Sequence, residues 1–342
     1  MVIPPVTLSR RRLLRLGLTA GMAVGLPPLL GGCGTSSRAS LAFTSGSLPS
    51  RWFKALPAGW RARQFEQPSA VLAAASAPIP PALVSLSDGW AGAAAPTLWQ
   101  PLEAPRLLDR LAEAAGPASR LFAAAGSPRV AFPWAFSPWV ILLRSRPDLL
   151  RRAAEGWSLL LDPSLRRRLV LPSSPRVCMA LVGDDVAKLR ALRLQALAHD
   201  DRDGLNLVLS GSAEAAVLPL RRLIPLLRRD QRLAVVLPQT GAPLSWQMLL
   251  RPTGSREPLP LDWVAEALEG PVLAALLGAG WVPPLPRTVL QPLVARFPAP
   301  VARLLLPEPG VLERCWSLPP LDGAARLALQ SRWDAAAPRT GA

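Results

Sequence analysis

Ser173-Ser174-Pro175-Arg176 is a segment whose residue types could hold a small charged molecule. It follows an apolar strand candidate, Arg168 to Leu171, and Ser174 suits a helix N-cap while Pro175 suits the first helical position. Free backbone N–H groups and hydroxyls would then face a crevice beside a guanidinium, a setting for an anionic or polar group. An ordinary capped helix start is the alternative reading of the same residues. Asp88 is a carboxylate at the end of another strand candidate, placed to meet a cation or to cap the helix after it. Trp90, Trp134, Trp139 and Trp246 could supply aromatic walls, or equally could pack a core or hinge.

Other chemistry is excluded by what is missing. His199 is the only histidine and tyrosine is absent, so neither a histidine-based metal site nor a Ser/His/Asp triad without His199 can be assembled. His199 lies in the polar stretch Ala198-His199-Asp200-Asp201 and is expected at an exposed helix end. Cys178 and Cys315 have no metal-ligand spacing; a disulfide between them and two buried thiols are both open. No enzyme activity, metal or cofactor is expected.

The formal charge is +16, but Arg10, Arg11, Arg12 and Arg15 belong to an amino-terminal signal and leave +12 for the rest. The remaining arginines are scattered, and the densest runs, Arg166-Arg167-Arg168 and Arg221-Arg222, are short. Nucleic acid is therefore not an expected partner.

The amino-terminal segment has a basic start, an apolar run broken by Pro27 and Pro28, and small residues before Cys33, the physical requirements of an export signal. An uncleaved membrane anchor is the alternative, since Leu13 to Leu30 approaches spanning length. Ser9 to Arg15 resembles a twin-arginine export signal, and Leu30-Gly31-Gly32-Cys33 is similar to a bacterial lipobox. Those resemblances imply a body folded before export, an export signal over 1–32, lipidation at Cys33, a tether over 33–40, and a periplasmic location at a membrane.

About 310 residues remain, more than one hydrophobic core usually organises, so two lobes are expected. Strand candidates are Leu41 to Thr44, Ala82 to Leu86, Arg129 to Phe132, Trp139 to Leu143, Arg168 to Leu171, Leu205 to Leu209, Leu233 to Leu237 and Ser245 to Leu250. Helical patterns lie at Ser50 to Leu56, Pro105 to Ala115, Asp148 to Gly156, Pro175 to Ala198 and Ala213 to Arg228. Beyond Leu261 the pattern turns helical and then Pro-rich. Strands alternating with helices predict an α/β fold with mainly parallel sheets. Ligands of open α/β sheets bind at the carboxyl ends of the strands. That rule selects the loops Ser45 to Leu48, Ser87 to Trp90, Pro133 to Trp139, Pro172 to Arg176 and Ser210 to Ser212.

Ala82 to Asp88, Val130 to Trp134 with Trp139 to Leu142, Trp157 to Pro163, Leu169 to Leu181 and Pro238 to Gly241 with Ser245-Trp246 resemble, in order and spacing, segments of the periplasmic solute-binding proteins of ABC importers. The spermidine/putrescine-binding branch is nearest, over about Leu41 to Pro252. The resemblance implies a two-lobed type II periplasmic binding fold: 41–137 with 238–342 as one lobe, 138–237 as the other, and a hinge between them. It implies a monomer that closes on a small solute and delivers it to an ABC permease. A sensor or scaffold of the same fold, without transport, is the alternative.

Carried onto this chain, the ligand positions are Ser45, Ser47, Asp88, Trp134, Ser173, Ser174, Arg176, Trp246 and Gln247. A polyamine needs carboxylates for its ammonium groups and aromatic faces for its chain. Here Ser45, Ser47, Ser173, Ser174 and Gln247 replace family aromatics and acids, and Asp88 is the carboxylate that remains. The expected solute is a polyamine or another small polar or ionic compound, with Arg176 suited to an anionic or zwitterionic one.

Overall fold

A computed structural model describes residues 39–338, so the expectations for the export signal, Cys33 and most of the tether lie outside the described residues. The body from Arg38 to Ala342 is a compact unit of its own. Among the described residues, no helix is long and apolar enough to cross a membrane.

Ten strands form the framework: β1 Ala39–Thr44, β2 Trp60–Phe65, β3 Leu83–Ser87, β4 Ala131–Arg144, β5 Leu169–Leu171, β6 Ala196–His199, β7 Ala215–Pro219, β8 Leu233–Val236, β9 Pro243–Leu250 and β10 Trp316–Ser317. Their order is β2-β1-β3-β9-β4-β7-β5-β6, with β10 added to β9 and β8 to β4. β1, β2 and β3 are mutually parallel, as are β5, β6 and β7, while β9 runs antiparallel to both β3 and β4.

β4 joins the two halves of the framework. Residues Ala131 to Pro138 pair with β9, and Trp139 to Arg144 pair with β7 and β8. Side chains alternate across the second half as period two demands. Val140, Leu142, Val170, Ala216 and Leu218 belong to a core shared with the first half. Trp139, Ile141, Leu143, Leu169, Leu171, Ala215 and Val217 belong to a second core on the opposite face.

Several expectations change. Pro133 to Trp139 is not a loop: the two expected strands are one, continuous through a register shift between Pro133 and Ala135. Leu205 to Leu209 is not a strand but lies in the helix Gly204–Ser210, where Gly211 in the left-handed region ends it. The helical pattern at Ala213 to Arg228 hides β7, whose burial on both faces removes the alternation that marks a strand. Pro175 to Ala198 divides at Gly183, φ +84, into helices Pro175–Val182 and Val186–Gln195, then β6. β2, β6 and β10 were not anticipated. His199 ends a strand rather than a helix; it is exposed, with its ring edge-on to Trp333 at 5.6 Å. Both described cysteines are free thiols.

The carboxyl-terminal helix Gly323–Ala335 also departs from the expected partition, in which 238–342 joins the first lobe. Trp333 and Ala336 are buried in the second core. The Arg193 guanidinium lies 4.5 Å from the Trp333 ring centroid, and Arg332 pairs with Asp184 at 2.6 Å. Asp322 caps the helix by accepting from the Ala325 N–H at 2.7 Å. The chain therefore passes between the two halves three times: at Pro138–Trp139 in β4, between β8 and β9, and between β10 and the last helix.

Gly241 lies in the second passage at φ +90, and a Cβ there would come within 2.0 Å of the Arg314 carbonyl oxygen. Its own carbonyl accepts from the Trp157 indole N–H at 3.0 Å. Gly241→Ala combines backbone strain with a clash against main chain, so a loss of more than about 3 kcal/mol is expected. A thermal midpoint equal to that of the parent protein would contradict it.

Candidate functional site

The parallel strands of each half direct their carboxyl ends toward the other half. From the first half come Ser87-Asp88-Gly89-Trp90 after β3, and from the second Pro172 to Arg176 after β5 and Asp200 to Asp203 after β6. At the rim, Arg202 reaches Glu66 at 3.8 Å across the gap. A cavity of about 420 Å³ lies between the loops, bounded among others by Asp88, Trp90, Trp139, Ser174, Arg176 and Asp201.

Each wall has a local cause. Asp88 opens the short helix Asp88–Ala91 and accepts from the Trp246 backbone N–H at 3.3 Å. Burial pushes its carboxyl up to about 7, against the lowering effects of N–H groups of Trp246 and Gly89 and of the Arg176 charge. Ser174 caps the helix Pro175–Val182 by accepting from the Val177 N–H at 3.5 Å, which leaves Arg176 in the first turn. Burial holds the Arg176 guanidinium below its ordinary range, and the charge of Asp88 opposes that shift. Ser173 does not stand free: its N–H donates to Asp201 at 3.2 Å and its hydroxyl to the same carboxylate. Trp139 is buried in the β4 crossing, whereas Trp90 is 39% exposed.

The passage after β10 forms another wall. The Trp246 indole N–H donates to Ser317 Oγ at 2.9 Å, and Arg176 donates to the Pro319 carbonyl. Pro320 lies against Gly92, where a Cβ would come within 2.5 Å of its Cγ. A second cavity of about 260 Å³ sits beside this strap and shares Asp88, Ser174, Arg176 and Leu318 with the first. Asp88, Arg176 and Leu318 thus stand between the two chambers.

Of the expected site residues, Asp88, Ser173, Ser174 and Arg176 come together. Ser45 and Ser47 follow β1, but Ser47 donates to the Thr44 carbonyl at 2.7 Å and neither lines these chambers. Trp134 is a correction: fully buried, it packs against Trp52 at 5.2 Å and Trp281 at 4.8 Å because β4 carries it into the first core. Trp246 and Gln247 are buried on β9, where Trp246 supports Asp88 and Ser317 from behind. Ser210 to Ser212 precede β7 instead of leaving a strand, so that loop lies at the wrong end.

Asp201 and the strap from Leu318 were not selected from the sequence. Asp201 could have been found only by recognising β6, four residues whose hydrogen-bond partners lie across the sheet. The arrangement offers carboxylates from both halves, one guanidinium and two indoles to a solute a few ångströms across.

No protein-family model matches the chain, and no curated protein matches it. Solved structures do. The spermidine/putrescine ABC transporter substrate-binding protein PotD from Streptococcus pneumoniae superposes with a TM-score of 0.70 at 12% identity, covering 87% of this chain and 98% of that one. The Tp0655 (TpPotD) lipoprotein of Treponema pallidum gives 0.61 at 13% identity, with 87% and 99% covered. A periplasmic thiamin binding protein gives 0.60 at 14%, with 88% and 96% covered. At such coverage and such low identity the likeness is one of architecture: the chain has the two-lobed α/β fold of the type II periplasmic binding proteins.

Proposed function

We propose that this chain is the solute receptor of an ABC importer, exported by the twin-arginine route and held at the periplasmic membrane through a lipid on Cys33. The lobes turn about the three passages, and solute favours the closed form because contacts from both halves exist only there. The observation that carries this reading is the approach of Asp88 and Trp90 from one half toward Arg176 and Asp201 from the other, around one chamber. The fold likeness to substrate-binding proteins and the export-signal pattern support it.

The solute we assign is a small organic cation of the amine class, with polyamines included. Asp88 and Asp201 supply anionic contacts from opposite lobes, and Trp90 and Trp139 supply indoles for an alkyl ammonium. Arg176, which donates to Pro319, is partly withdrawn from solute and leaves the chamber's remaining charge negative. Isothermal titration of residues 38–342 with putrescine, spermidine and a zwitterionic amino acid tests the assignment. Micromolar or tighter binding of an amine is expected; absence of heat from every amine at pH 8, with tight binding of a carboxylate, would overturn it.

A further inference from the structure

Asp201 reaches the chamber from a loop that burial does not hold. Asp201, Arg202 and Asp203 are all exposed, and β6, the strand before them, lies at the edge of the sheet. Hydrogen bonds hold the loop instead. One carboxylate oxygen of Asp200 accepts from the Arg202 and Asp203 N–H groups at 2.7 and 2.8 Å, folding the loop on itself. The Asp200 N–H donates to the Leu171 carbonyl of β5 at 2.9 Å. Ser173, after β5, donates twice to the Asp201 carboxylate.

The remaining tie comes from farther along the chain. Arg222, past the end of β7 and two strands over from β6, donates to the Asp201 carbonyl and, at 2.8 Å, to the Arg202 carbonyl. Its base is fixed: Leu220 and Leu223 are buried in the first core, and the Arg221 N–H donates to Ser137 Oγ of β4 at 3.0 Å. A guanidinium is a rigid fork of donors, suited to two successive carbonyls. Burial holds the Arg222 guanidinium below its ordinary range, against the charges of Asp201, Asp200 and Asp203. Because its N–H groups go to main-chain carbonyls, the Asp201 carboxylate keeps its charge for solute.

We propose that Arg222 is the positioning residue of the amine site, gripping the backbone of the loop so that Asp201 meets an ammonium already ordered. Without that grip the cost of ordering an exposed loop is subtracted from affinity. The same grip presents Arg202 to Glu66 of the other half. This proposal rests on the reading of the chamber as an amine site. A role through charge alone has the opposite sign, since removing a cation beside the chamber should strengthen amine binding.

The test uses Arg222→Met in residues 38–342, which removes the donors and keeps much of the apolar stem. In solute-free protein, hydrogen exchange of the Arg202 and Asp203 amides should quicken at least about tenfold. Arg229→Ala, at an exposed arginine of the same half, should leave it unchanged. Titration calorimetry should show putrescine binding about tenfold more weakly to Arg222→Met. Asp201→Asn combined with Arg222→Met should stay within about twofold of Asp201→Asn alone, because Arg222 acts through Asp201. Thermal melts of all variants separate these effects from unfolding. Unchanged exchange, unchanged or tighter putrescine binding, or a further tenfold loss in the Asp201→Asn background would each overturn the proposal. A parent protein that binds no amine would remove the functional reading, while exchange still judges the hold of Arg222 on the loop, so the two fail separately.

Discussion

Asp88→Asn is expected to abolish amine binding and yet to stabilise the solute-free protein above pH 7. The folded carboxyl retains its proton up to about 7, because burial outweighs the N–H groups of Trp246 and Gly89 and the Arg176 charge, whereas an ordinary aspartate releases it near 3.8. Between those pH values the folded state binds more protons than the unfolded state, so stability falls as pH rises from about 4 to 7 and stays low above. Below pH 3.8 the carboxyl is protonated in both states and contributes nothing. Asparagine carries no such charge, and its carbonyl oxygen can still accept from Trp246. The expected gain at pH 8 is on the order of 2–4 kcal/mol, at about 1.4 kcal/mol for each tenfold change in proton affinity.

For an ammonium ligand the sign reverses. Pairing favours the ionised carboxylate, so amine affinity should climb with pH toward 7–8 and each binding event should release protons near neutrality. Removing the charge should cost at least about 100-fold in affinity, as expected when one partner of a largely desolvated pair is lost. Denaturation and titration calorimetry across pH 5–8 read both effects. An Asp88→Asn protein that binds amines normally, or whose stability follows pH as the parent's does, would dismiss this role for Asp88.

Trp333→Ala is expected to detach the carboxyl-terminal helix. The ring is 8% exposed, lies in the second core, stacks under the Arg193 guanidinium and meets the edge of His199. Truncating a buried tryptophan costs about 3–5 kcal/mol, and the cation–π contact adds roughly 1. Because its other buried anchor is the small Ala336 and further ties such as Arg332 with Asp184 are exposed, its local stability should fall below that of the sheets. Limited proteolysis should then cut after Trp316 before either core opens. The Pro319 contact with Arg176 would be released as well, opening the wall between the two chambers. Proteolysis that leaves the segment intact would show that β10 and the strap hold without Trp333.

The central strands were legible where one face is buried or where a short apolar run is bounded by turn residues. β1, β3, β5, β8 and β9 lie within two residues of their expected bounds. The capped start at Ser174-Pro175 was readable because its signal is local: a hydroxyl acceptor followed by a residue without an N–H. The errors share an opposite cause. β7 is buried on both faces and so loses its alternation, and Leu205 to Leu209 reads as a strand although it coils into a helix over β5. Pro133 and Pro138 fell within the segment expected as a loop, Pro133 to Trp139, but β4 accommodates both as it passes between partners.

The site divides along the same line. Residue order alone placed Asp88 and Arg176 in loops that leave strands, ruled out histidine and tyrosine chemistry, and carried a pattern like that of an export signal before the body. Tertiary structure decided which aromatics line the chamber: Trp134 went to the first core, while Trp90 and Trp139 reached the cavity. It also brought in Asp201 through β6 and drew the last helix onto the second half. The physical reason is range. Caps, prolines and charge act over a few residues, but the wall of a cavity is set by sheet register and by contacts that join residues more than a hundred positions apart, as Trp246 meets Asp88 and Pro319 meets Arg176.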